Sequence, residues 1–286
     1  MLSAQPSNWL RSSSDPITAM PPGNTHIPRK RFGQHFLHDP TVIQKIIAAI
    51  QPLPDQRLVE IGPGQGALTI PLLRAVNTLD AIELDRDLIA PLEQKCRDIG
   101  SLNVYCNDAL KFDFCQLQCG ADRLRIIGNL PYNISTPLIF HLLHQTACIA
   151  DMHFMLQREV VDRLVAAPGG GAYGRLSVMV QYRCAANMLF VIGPGAFTPP
   201  PRVESALVRL MPWQNPPVTV HDEQLFATVV RQAFSQRRKT LRNSLRQLLT
   251  EQDIRSLGID PQRRAETLSL NDFALLTNAI DAGQHG

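Results

Sequence analysis

The chain has 286 residues, 44% of them hydrophobic and 19% charged, which excludes a disordered, collagen-like or coiled-coil protein and leaves room for about two domains. Its 28 Lys+Arg against 25 Asp+Glu leave +3, so a bulk polycation is excluded and any affinity for nucleic acid must come from local clustering. No apolar run reaches the roughly 18 residues of a membrane helix, and the protein is expected to be soluble and cytoplasmic.

Residues 1–28 are rich in Pro and Ser, lack hydrophobic periodicity and hold a single arginine, Arg11, so they read as a flexible tail. A mitochondrial transit peptide would want more arginine, and Met20 offers a second start. From Arg29 the chain turns basic and aromatic, running to Leu37, and Asp39 followed by Pro40 marks the cap and first turn of a helix with Val42, Ile43, Ile46, Ile47 and Ile50 on its apolar side. Short apolar runs follow as expected strands at 57–61, 79–84, 102–106, 124–128, 152–157 and 188–192, with helical stretches between most of them, as at 87–97 and 137–144. This alternation predicts an α/β fold, a mostly parallel sheet with helices on both faces. A strand at 203–210 ends that domain, Pro212, Pro216 and Pro217 mark a linker, and everything from Asp222 onward is helical. The expected organisation is a tail at 1–28, a catalytic domain at 29–213 and a small helical domain at 214–286.

The six cysteines form no CxxC pair and follow no signal peptide, so neither zinc nor a disulfide framework is expected and all six thiols should be reduced. No metal site is expected.

The first expected strand ends in Glu60-Ile61 and turns through Gly62-Pro63-Gly64-Gln65-Gly66 toward a helix, a place where backbone approaches a ligand closely. Gly62, Gly64 and Ala67 also satisfy the dinucleotide fingerprint, so a nicotinamide cofactor and S-adenosyl-L-methionine both remain open here. Glu83, Asp108 and Asn129 end or follow the next three strands, where the loops of an open sheet line one crevice. Glu83 suits two ribose hydroxyls, Asp108 the exocyclic amine of a cofactor adenine, and Glu60 the cationic methionine end.

Asn129-Leu130-Pro131-Tyr132 carries the sharper chemistry. The lone pair of an adenine exocyclic amine is delocalised into the ring, and two acceptors aimed at its N–H bonds localise it: the Asn129 side-chain oxygen and the Leu130 carbonyl, with Pro131 stiffening the backbone. Tyr132 can stack on a base flipped out of its helix. Further on, Arg231, Arg237, Arg238, Lys239, Arg242 and Arg246 lie in the acid-free segment 224–250, whose apolar positions suit one buried helix face, so its polar side reads as a phosphate-binding stripe, supplemented by Arg29, Lys30 and Arg31.

Taken together, Arg-Phe-Gly-Gln-x-Phe-Leu, Glu-Ile-Gly-Pro-Gly-x-Gly, Glu-Leu-Asp, Gly-Asn-Leu-Pro-Tyr-Asn-Ile-Ser-Thr, Phe-Thr-Pro-Pro-Pro-x-Val and Gln-Arg-Arg-Lys-Thr-Leu-Arg-Asn resemble the ribosomal RNA adenine dimethyltransferases from Arg29 to about Ile280. The resemblance implies a Rossmann-like class I methyltransferase sheet with a C-terminal helical domain. It implies S-adenosyl-L-methionine contacts at Gln34, His35, Leu37, Gly62, Glu83, Asp108 and Asn129, added to Glu60, Gly64 and Gly66 from the turn itself. It sets Phe197, held by the stiff Pro199-Pro200-Pro201, across the target base from Tyr132. The implied reaction is transfer of methyl groups to N6 of two adjacent adenosines near the 3′ end of small-subunit (16S) rRNA, on the immature small ribosomal subunit, by a monomeric enzyme. Where the family usually has Asn this chain has His35, whose imidazole still donates one hydrogen bond. An assembly factor that senses the maturing subunit is the alternative from another class.

Overall fold

A computed structural model describes residues 34–236 and 238–284. The expectations for residues 1–28, for Arg29, Lys30 and Arg31, and for Arg237 lie outside the described residues.

The elements follow one another along the chain, and the sheet order differs from the chain order. A two-residue strand β1 (Phe36–Leu37) precedes α1 (Pro40–Ile50), whose first turn is held by the Asp39 carboxylate accepting from Thr41 N and Val42 N. Then come β2 (Leu58–Ile61), α2 (Thr69–Val76), β3 (Thr78–Glu83), α3 (Arg86–Cys96), β4 (Ser101–Cys106) and β5 (Leu124–Asn129). After α4 (Ser135–Leu143) follow β6 (Ile149–Gln157), α5 (Arg158–Val165), α6 (Arg175–Arg183), β7 (Cys184–Ile192), the two-residue β8 (Phe197–Thr198) and β9 (Ser205–Pro212). The seven-stranded sheet has the order β4-β3-β2-β5-β6-β9-β7. Strands β4 to β6 are parallel; β9 runs antiparallel between β6 and β7, so the late strand enters the sheet beside β6 and leaves β7 at the edge.

Alternate residues of β2 go to opposite faces: Val59 and Ile61 join a core under α4 to α6, while Leu58 joins Ile46, Ile50, Leu72 and Leu79 under α1 to α3. Because β3 and β4 lie on one side of β2 and β5 and β6 on the other, the strand order reverses between β2 and β5. A crevice therefore opens at the carboxyl ends of those two strands. At the opposite end of the sheet Arg125 satisfies the end of α1, donating to the carbonyls of Ile50 (2.6 Å) and Gln51 (3.3 Å), and pairs with the buried Asp151.

Two expectations are corrected. Cys115 and Cys148 are joined by a disulfide with 5.4 Å between their Cα atoms, whereas all thiols were expected to be reduced. The two residues meet because the turns at Phe114–Leu117 and Thr146–Cys148 are tied together by Phe114 N donating to the Gln145 side chain at 2.7 Å. The segment 224–250 is not one amphipathic helix: α7 (Glu223–Ala233) ends at Phe234, and α8 covers only Leu241–Ser244. Past the break, Leu241 N and Arg242 N bond to the carbonyls of Arg263 and Pro261, so the segment 261–263 satisfies the donors that open α8. Phe197 is 2% exposed and packs within the core cluster containing Leu37, its strand partner, and Leu207.

Beyond β9, α7, α8, α9 (Glu251–Ser256) and α10 (Leu270–Gln284) enclose a third core around Phe226, Leu241, Leu245, Ile254 and Phe273. Tyr173, Val178 and Tyr182, at and near α6, belong to this same core, which anchors the helical part to the sheet.

Candidate active site

A cavity of about 330 Å³ opens where β2 and β5 end. It is of the size that takes a small organic ligand. Gln34, His35, Leu37, Glu60, Gly62, Gly64, Glu83, Asp108, Asn129, Leu130, Pro131 and Tyr132 all line it. Gly66 and Phe197 do not.

The glycine turn has concrete steric reasons. Gly62 and Gly64 have φ of 67° and 56°, and a Cβ on Gly64 would lie 3.1 Å from the Phe36 ring. Gly66, at φ 90°, serves packing: a Cβ there would approach Leu92 to 2.7 Å, so this glycine lets α3 close on the turn.

The three acids of the cavity differ in how they are held. Glu83 accepts from Gly64 N (3.1 Å) through Oε2 and from Asp85 N (2.8 Å) through Oε1. Burial pushes its carboxyl up, and these main-chain donors draw it part of the way back. A carboxylate has about four acceptor directions, so Glu83 keeps capacity for ligand hydroxyls. Asp108 accepts from Leu110 N at 3.0 Å, which fixes its loop. Glu60 is 2% exposed and its Oε2 is buried without a partner among the described residues. Burial carries its carboxyl up to about 7, against the pull of the neighbouring Thr69 hydroxyl, and the charge of Glu83 adds to the rise.

The Asn129 amide is oriented from outside the cavity. Its Nδ2 donates to the His35 carbonyl at 2.8 Å, so the remaining acceptor, Oδ1, is the group available to a ligand N–H. Tyr132 is fixed at its far end by a 2.7 Å bond between its hydroxyl and Ser205 Oγ. The His35 ring packs against that of Tyr132, with centroids 5.3 Å apart and planes 29° apart, and Nδ1 donates to the Pro199 carbonyl at 2.7 Å. The imidazole donor of this chain is thus spent on the proline loop, binding β1 to β8 beyond their two-residue ladder.

Phe36, Asn107, Ala109, Asn133 and Ile134 also line the cavity and were assigned no role from sequence. Asn107 was detectable as the neighbour of Asp108, and Asn133 as the continuation of the Asn-Leu-Pro-Tyr run; Phe36 gives no signal before β1 is known to fold over Gly64.

The ribosomal RNA adenine dimethylase family matches residues 25–282. The chain belongs to that family. Ribosomal RNA small subunit methyltransferase A of Chromohalobacter salexigens is 54% identical over 277 residues, covering 96% of this chain and 98% of the relative. The protein of the same description from Pseudomonas aeruginosa is 56% identical over 255 residues, covering 89% and 95%. Among solved structures, a dimethyladenosine transferase from Plasmodium falciparum superposes with a TM-score of 0.74 at 26% identity, covering 87% of this chain and 98% of that one. Membership sets aside the nicotinamide reading that the glycines alone left open, and the fold is that of the class I methyltransferases.

In the helical part, Arg231, Arg238, Lys239, Arg242 and Arg246 are exposed. Lys239 and Arg246 border a polar hollow with Gln232, Gln236, Asn243 and Gln247, while Arg242 lies 3.8 Å from Glu251.

Proposed function

We propose that this protein uses S-adenosyl-L-methionine to dimethylate N6 of two adjacent adenosines near the 3′ end of small-subunit rRNA, acting as a cytoplasmic monomer on immature small subunits. The observation that carries the reading is the Asn129 amide, turned by its bond to the His35 carbonyl so that Oδ1 is left to accept, in the cavity that Tyr132 also lines. The named relatives support the choice of the small subunit.

The cavity fits the cofactor on its own terms. The close backbone of Gly62 and Gly64, the acceptor capacity of Glu83, the fixed Asp108 loop and the unpartnered Glu60 oxygen answer to an adenosine at one end and a cation at the other. When bound, the cofactor supplies a methyl group activated by a sulfonium.

The residues of the chain position and polarise. Asn129 Oδ1 and the Leu130 carbonyl accept the two N–H bonds of the target amine, returning its lone pair to the nitrogen, and Pro131 keeps the carbonyl from turning away. Tyr132, held by Ser205, supplies a stacking face for the extruded base. Once the nitrogen carries a methyl group its proton is acidic and leaves to water, so no strong base is required.

We assign residues 214–286 as the helical RNA-binding domain of this enzyme, with Arg231, Arg238, Lys239, Arg242 and Arg246 toward phosphates. Asn129→Ala tests the chemistry: methylation of isolated immature small subunits should fall steeply, and full retention would refute the role.

A further inference from the structure

Glu60 is set apart from the other acids of the cavity by what surrounds it. Glu83 and Asp108 each accept at least one main-chain N–H, whereas Glu60 Oε2 is buried and pairs with no donor among the described residues. Its strand partners are Ala81 on β3 and Ile127 on β5, both apolar. The polar and titratable groups facing it from the elements packed around it are the Thr69 hydroxyl of α2, the Cys96 thiol of α3 and the Glu83 carboxylate of β3. None of these is a cation, and a buried carboxyl without one holds its proton. The carboxyl nevertheless borders the cavity, so a cationic ligand would supply the missing charge.

On the reading of this cavity as an S-adenosylmethionine site, we propose that Glu60 releases its proton to solvent when the sulfonium cofactor binds and retains more of it when the thioether product, S-adenosylhomocysteine, binds. The two ligands share the ammonium and carboxylate of their amino-acid end and differ by the methyl group and one positive charge. A carboxyl that ionises in answer to that charge favours the loaded cofactor over the spent one. It also ties cofactor affinity to pH: below neutrality each proton released weakens binding up to about tenfold per pH unit, and the dependence flattens above it.

Titration calorimetry of the full chain reads the proton count directly. Each ligand is titrated at pH 6.5 in phosphate and in imidazole, whose ionisation enthalpies differ, and the difference in observed heat gives the protons exchanged. The wild type should release a substantial fraction of a proton with S-adenosylmethionine, distinctly less with S-adenosylhomocysteine, and Glu60→Gln close to none with either. Thr69→Val serves as the second variant, because it leaves Glu60 in place and removes a hydroxyl that favours its ionised form. With Thr69→Val, proton release should persist to higher pH than in the wild type. Equal release by wild type and Glu60→Gln, equal release for the two ligands, or an unmoved profile in Thr69→Val would overturn the proposal. Binding without proton release contradicts this inference alone, whereas failure of both ligands to bind contradicts the cofactor reading as well.

Discussion

The side-chain nitrogen of Asn129, at the end of β5, donates to the main-chain carbonyl of His35, 94 residues earlier, at 2.8 Å. That bond leaves Oδ1 as the end of the amide free to accept in the cavity. Replacing Asn129 by Ala removes the acceptor and should lower kcat for methylation about 100- to 1000-fold, as loss of an oriented polar group in an active site does. The melting temperature should stay near that of the wild type. Single-turnover methylation of immature small subunits gives the number.

Glu83→Gln keeps an acceptor but loses the charge that holds two main-chain N–H groups and the proposed ribose hydroxyls. Hydrogen bonds to charged groups are worth about 1.5–3 kcal/mol, so S-adenosylmethionine affinity should fall at least roughly tenfold. Equilibrium binding to the isolated protein tests this without RNA. An unchanged Kd would remove Glu83 from the cofactor site.

Burial of Glu60 also predicts how the ligand-free protein responds to pH. Its carboxyl titrates at 4.5 in the unfolded chain and at about 7 when folded. Between those values the folded state binds more protons than the unfolded one. The favourable contribution is therefore complete below about 4.5 and is lost as pH rises through about 7. Glu60→Gln removes this effect, so the melting temperature of the wild type should fall relative to that of Glu60→Gln between pH 5 and pH 8. Parallel curves would contradict the assignment.

Phe197 separates a core role from a stacking role. Phe197→Ala should destabilise the protein by about 3–5 kcal/mol, the usual cost of emptying a buried aromatic site. Phe197→Leu should cost less than about 1.5 kcal/mol and leave methylation close to wild type. A stacking residue would give the reverse pattern, with little change in melting temperature and a large loss of activity.

Arg238→Glu with Lys239→Glu should weaken binding to small subunits and flatten the salt dependence, by about 0.7–0.9 in logarithmic slope for each phosphate that is no longer neutralised. Cofactor affinity should be unaffected. Loss of both affinities together would indicate disturbed folding of the helical part.

Much of the sheet and most of the cavity were legible because they are built from local pattern. The runs at 57–61, 79–84, 102–106 and 124–128 are mostly separated by helical stretches, and parallel strands so connected bring their carboxyl ends together. What escaped depends on distance along the chain. The ladder of Phe36 and Leu37 with Phe197 and Thr198 joins two-residue strands about 160 positions apart. It draws Phe197 inward and places Phe36 over Gly64. The start of α8 carries no local signal, since the donors of Leu241 and Arg242 are satisfied from 261–263. The Cys115–Cys148 bridge likewise follows from Gln145 joining two turns, a link that no spacing of cysteines announces.

The central claim is that Asn129, Leu130 and Tyr132 present an extruded adenine of small-subunit rRNA for methylation. Immature small subunits incubated with this protein and methyl-labelled S-adenosylmethionine, followed by mass mapping of the modified nucleosides, test it most directly. The account predicts N6,N6-dimethyladenosine at two adjacent positions near the 3′ end, absent when Asn129→Ala is used. Label at another base, in the large-subunit rRNA, or undiminished by Asn129→Ala would contradict it.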